Sequence, residues 1–184
     1  MPTQMKTYSF QLQFAPNQIR ELSERYSYRL EDEEAMASGK RIARGEYTRR
    51  NLQAIFEWKT GGRGKSRLQV NTDEEIEDAL RTAVEAKAER TAVSVLSGLY
   101  GVEIPVASAV LTAIAPDRYT IIDYRALEAL GETRTWHTID SYLAYLVCCR
   151  KLARENGVTL RDLDRALWQW SAERGKTPSD IRVP

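Results

Sequence analysis

Apolar residues fall along this chain at two periods. Tyr8, Phe10, Leu12 and Phe14 alternate with polar positions, which is the period of a half-buried strand. No other run offers them an obvious partner, so residues 1–15 are expected to form an extended arm packed on the domain. From Pro16 the apolar spacing changes to three and four, as one face of a helix requires. Pro16 and Asn17 open a helix through Ile19, Leu22 and Tyr26 that is expected to end near the acidic run Glu31 to Glu34. Met36 to Gly45 is small and polar and reads as a loop or a frayed helix. A helix from about Glu46 carries Leu52, Ile55, Phe56 and Trp58 inward and stops at Gly61-Gly62, where backbone freedom is greatest.

Two capping-box patterns mark further helix starts. Thr72 with Glu75 opens a helix whose inward face is Ile76, Leu80 and Val84, running to about Lys87. Thr159 with Asp162 opens the last helix, with Leu160, Leu163, Leu167 and Trp168 or Trp170 inward. Between them, Thr91 to Leu99 presents Val93, Leu96 and Leu99, and Gly98 and Gly101 mark its end. Pro105 opens the next helix. The helix from about Thr138 to Glu155 buries Ile139, Leu143, Leu146, Val147 and Leu152, and Gly157 closes it. The pattern predicts an all-α fold, a compact bundle of about seven to nine helices over residues 16–175, with a tail at 176–184.

Composition narrows the class. The chain has 184 residues, 42% hydrophobic and 29% charged, which suits a globular domain with a real core. No apolar run approaches the roughly 20 residues needed to span a bilayer. MPTQMKTYSF has no signal-peptide core, so no membrane association and a cytoplasmic location are expected. Cys148 and Cys149 are adjacent, without metal-ligand or iron–sulfur spacing, and read as buried thiols. No metal and no cofactor is expected. His137 is the only histidine, which argues against histidine triads, and it is expected to be exposed or near a cap.

Net charge is only +1, but its distribution is uneven. Lys40 to Arg67 holds nine basic residues against Glu46 and Glu57, a net of +7 that includes Arg49, Arg50, Lys59, Arg63, Lys65 and Arg67. Asp73 to Glu89 holds seven acids against Arg81 and Lys87, a net of −5. The basic stretch ends in GGRGKSR, a glycine-rich loop able to follow a phosphate backbone, where each neutralised phosphate releases counterions. A solvated charged face is the alternative reading.

Leu99-Tyr-Gly-Val-Glu-Ile-Pro-Val-Ala107 through Leu111, followed by Ile121-Ile122-Asp123-Tyr124-Arg125 through Leu130-Gly131, resembles the hairpin and following aspartate segment of the helix-hairpin-helix DNA glycosylases. The resemblance places a helix-hairpin-helix at about 91–114. It implies that backbone amides of Gly101, Val102, Glu103 and Ile104 hold a DNA phosphate, with Lys59, Arg63, Lys65, Arg67, Arg49 and Arg50 as further phosphate contacts. Asp123 would then serve a flipped nucleotide, stabilising the cationic sugar while water attacks. Tyr100, Tyr124, Trp58 and Trp136 are candidate walls for the base, whereas Trp168 and Trp170 read as core. Pro105 stands where lyase-capable members carry a lysine, which implies a monofunctional N-glycosylase with DNA as partner.

The residues alone leave alternatives open. Asp123 precedes Tyr-Arg-Ala-Leu-Glu-Ala-Leu and is a good helix N-cap. A non-catalytic helix-hairpin-helix DNA-binding module, or a helical protein-interaction domain with a decayed site, would carry much of the same pattern.

Overall fold

The computed structural model describes residues 8–27, 29–133 and 137–174, with only the backbone described at Arg29. Within them the chain is all-α, with ten α-helices. α1 (Ile19–Glu24) and α2 (Arg29–Ala43) correct the expected boundaries: the acidic run does not end a helix but supplies the first turn of α2, where Glu31 and Asp32 suit the positive helix end. α2 continues through the stretch from Met36 read as a loop. Its weak local propensity is overridden by packing, because Gly39 lies directly against the backbone of Ala113.

α3 (Arg49–Thr60) begins after Thr48, whose hydroxyl accepts from the Asn51 amide, and ends at Gly61 in the left-handed region. The glycine-rich loop beyond it contains a further turn, α4 (Lys65–Leu68). α5 (Asp73–Glu85) starts at the Thr72–Glu75 capping box, formed in both directions. α6 (Glu89–Ser97) and α7 (Ile104–Ile114) are joined by a tight turn at Leu99–Val102. α8 (Tyr124–Ala129) is short, and α9 (Ile139–Glu155) and α10 (Leu160–Glu173) close the chain from Thr138 and Thr159 caps.

α7 is apolar nearly all round, and every residue from Val106 to Ala113 is buried. α2, α3 and α6 pack around it. Its hydroxyls are used within the core: Thr112 Oγ1 donates to the Ser108 carbonyl and Ser108 Oγ to that of Pro105.

Residues 8–15 form neither helix nor strand and bend at Gln13 and Phe14. Phe10, Leu12 and Phe14 lie half-buried against the core, alternating with exposed neighbours. The Gln11 and Gln13 amides donate to the carbonyls of Leu130 and Ala129, each at 2.9 Å. The end of α8, whose last carbonyls lack helical donors, thus takes the place of a partner strand. Residues 1–7 and 175–184 lie outside the described residues.

Candidate active site

Asp123 is delivered by an extended segment that belongs to no sheet. Its backbone groups are satisfied by side chains of the helices on either side. The Ile122 amide donates to Ser108 Oγ of α7 (3.1 Å), and the carbonyls of Thr120 and Ile121 accept from the buried Tyr142 and Tyr145 hydroxyls of α9 (3.2 and 2.7 Å). A buried carbonyl without such a partner costs about 1–3 kcal/mol, so these three bonds fix the chain just before the carboxylate.

At Asp123 the cap and site readings prove compatible. One oxygen, Oδ1, accepts from the Ala126 amide at 2.9 Å and caps α8. The other, Oδ2, accepts from Lys59 Nζ of α3 at 2.8 Å. The two side chains are 18% and 14% exposed. Desolvation pushes the Asp123 carboxyl up, but the Lys59 charge and hydrogen bond, the Ala126 amide and the Arg125 charge together hold it below the ordinary carboxylate range. It is a carboxylate at neutral pH.

The pair faces a cleft of about 930 Å³. Trp58, Tyr124, Trp168 and Tyr26 give it aromatic walls, with Arg63, His137 and Pro105 also in the lining. Guanidinium groups stand over these rings: Arg125 lies 5.0 Å from the Tyr124 centroid and 5.1 Å from Trp168, and Arg161 lies 5.7 Å from Trp58. Beneath one wall is Asp32, only 1% exposed, which accepts hydrogen bonds from both Arg161 and Arg165 of α10. This buried network ties α2 to α10 and sets the two arginines along the cleft. Burial and the Lys59 charge lower the pKa of His137, while Asp123 and Glu103 raise it; the net direction is down.

Of the expected site residues, Asp123, Lys59, Arg63, Trp58 and Tyr124 meet in this cleft. Lys59 is bonded to the carboxylate rather than held outward for a phosphate. The cleft thereby gains an amine although Pro105 carries none. Arg49 is likewise engaged: it bonds the exposed Asp73 and the Asn71 carbonyl, both at 2.5 Å. With Arg50, which is exposed, it lines a separate hollow of about 670 Å³ at the far end of α3. Lys65 pairs with Glu57 at 2.6 Å, while Arg63 and Arg67 are exposed and in no ion pair among the described residues.

Gly101, Val102, Glu103 and Ile104 do not line the cleft, although Pro105, next in the chain, does. Val102 and Ile104 are buried, at 2% and 8% exposure of the whole residue. Glu103 is exposed with φ −82° and ψ 170°, an ordinary extended conformation that does not require glycine. Gly101, by contrast, has φ +86°, and a Cβ there would come within 2.9 Å of Arg67 Cβ. Tyr100 is not in the cleft but stands 58% exposed on the turn. Trp136 lies outside the described residues.

Several cleft residues carried no usable local signal. Tyr26, just past the end of α1, and Trp168 on α10 read as core, yet they line the cleft; His137, next to the Thr138 cap as expected, is half-buried in the lining. Arg161, Asp164 and Arg165 did leave a trace, since their spacing of three and four puts all of them on one face of α10. Comparison of the chain with known protein families, curated proteins and solved structures found no match.

Proposed function

We propose that this chain is a DNA N-glycosylase of the water-using kind, removing a damaged or modified base flipped into the aromatic cleft. The observation that carries this reading is the ionised Asp123, held at both oxygens and facing a cleft of about 930 Å³. That volume is near the upper end of the roughly 300–1,000 Å³ found for small-molecule sites. Breaking an N-glycosidic bond builds positive charge on the sugar, and a fixed carboxylate stabilises that charge while water attacks. Trp58, Trp168, Tyr26 and Tyr124 line the cleft with an arginine over one face of each ring, and a flipped base would stack on a face these arginines leave open. The exposed Arg63 and Arg67, with the amides of the α6–α7 turn, would hold the strand. This assigns a helix-hairpin-helix role to Leu99–Ile104 and makes DNA the partner.

Lys59 is assigned a positioning role, because in its ion pair it presents N–H donors to Asp123 rather than a lone pair to a sugar. Its presence in the cleft favours one further reading, in which the amine attacks the sugar carbon directly. Trapping with borohydride distinguishes them: a covalent protein–DNA adduct lost in Lys59→Met would make Lys59 the nucleophile. The primary test is incubation with duplexes bearing a panel of modified bases, followed by alkaline cleavage at abasic sites. Base release by the wild-type protein is the expected result, and its absence across the panel with intact DNA binding would favour a non-catalytic DNA-binding module.

A further inference from the structure

The α6–α7 turn and the basic loop, some thirty residues apart in sequence, are bolted into one surface. Asn71, buried behind it, makes three bonds with a single side chain. Its Nδ2 donates to the carbonyls of Leu68 (2.9 Å) and Tyr100 (3.0 Å), and its Oδ1 accepts from the Tyr100 amide at 2.7 Å. Gly101 completes the contact, lying so close to Arg67 and Leu68 that a Cβ would reach 2.9 Å from Arg67 Cβ and 3.2 Å from the Leu68 amide nitrogen. Arg49 anchors the other side, bonding the Asn71 and Leu68 carbonyls.

The outer face of this assembly is unlike an ordinary polar turn. Tyr100 is 58% exposed and Val70, next to Asn71, is 65% exposed. Arg67 stands exposed beside them, and Arg63, on the same loop, reaches the cleft lining. Both backbone polar groups of Tyr100 are held by Asn71, so the ring projects from a fixed base. An exposed ring on a turn packed against Arg67, with Arg63 of the same loop at the cleft, suits a nucleic-acid strand, whose phosphates take the cations and whose unstacked bases take the ring face.

We infer that Tyr100 is a stacking residue for an unpaired base of the bound strand, next to the nucleotide that enters the cleft. This rests on the proposed function for its partner but on different atoms for its evidence. Because Tyr100 is exposed, Tyr100→Ala leaves the core untouched. The test uses a duplex with an abasic site opposite a fluorescent adenine analogue, at one fixed low salt concentration. Tyr100→Ala should lower affinity by about tenfold or more, the scale of one base–aromatic stack, and should lose quenching of the analogue. Tyr100→Phe should keep both. Alanine binding and quenching like wild type would overturn the stacking assignment while leaving base release unaffected. Tyr100-dependent quenching by a wild-type protein that releases no base would overturn the catalytic reading alone. Wild-type protein without affinity for this DNA would overturn both.

Discussion

Replacing Lys59 with methionine isolates the interaction on which the site depends. The substitution keeps an apolar stem of similar length and removes the cation 2.8 Å from Asp123 Oδ2. At that separation, and with an effective dielectric of about 20, two unit charges attract by about 6 kcal/mol. Drawing both ions out of water costs several kcal/mol, which leaves a net coupling of about 2 kcal/mol for this mostly shielded pair. Lys59→Met should therefore lower unfolding free energy in urea by about 2 kcal/mol at neutral pH and lower Tm by about 4–8 °C. The loss should vanish in a double-mutant cycle with Asp123→Asn. The sign with pH follows from the depressed Asp123 pKa: the pair stabilises the fold above the ordinary carboxylate range and is lost as pH falls through the folded-state value. Without Lys59, desolvation is opposed only by the Ala126 amide and the Arg125 charge and the carboxyl rises, so the acid limb of base release should move to higher pH. Equal stability of Lys59→Met and wild type at neutral pH, with an unmoved acid limb, would refute this reasoning.

Three further outcomes follow from other contacts. Gly39→Ala puts a Cβ about 2.1 Å from the Ala113 backbone and should cost about 3 kcal/mol or more by denaturant titration, since neither helix can yield without unpacking α7. Tyr145→Phe leaves the buried Ile121 carbonyl without its donor and should cost about 1–3 kcal/mol, with a fall in base release if the segment before Asp123 shifts. His137 is the only histidine, so its ring protons are a single NMR reporter of the cleft. It should titrate below the ordinary imidazole range, fall further in Asp123→Asn, and rise in Lys59→Met.

The helices with side-chain caps were legible because a cap is local: Thr72 with Glu75 and Thr159 with Asp162 both form where the sequence puts them. α2 was not legible, because what sustains it is a contact between Gly39 and α7, some seventy residues away. The same distinction divides the site. Asp123 stood out through its place after the hairpin and at a helix start, and Trp58 and Tyr124 joined it as candidate walls. Its partner did not, since nothing near Lys59 marks it as belonging with a carboxylate 64 positions away. Counting charge along the chain also overstated the basic surface, as Arg49 and Lys59 each pair with an acid from outside the basic stretch, Asp73 and Asp123.

The central claim is that Asp123 performs chemistry and does not merely cap α8. Asp123→Asn tests it most directly, because asparagine caps a helix almost as well as aspartate: its one oxygen can still accept from the Ala126 amide, and only the Lys59 bond, for which an NH2 now stands in place of Oδ2, is given up. In the modified-base panel, read after alkaline cleavage, the variant should keep its fold and its DNA affinity. Its single-turnover base release should fall by about 100-fold or more. Release at the wild-type rate would contradict the account.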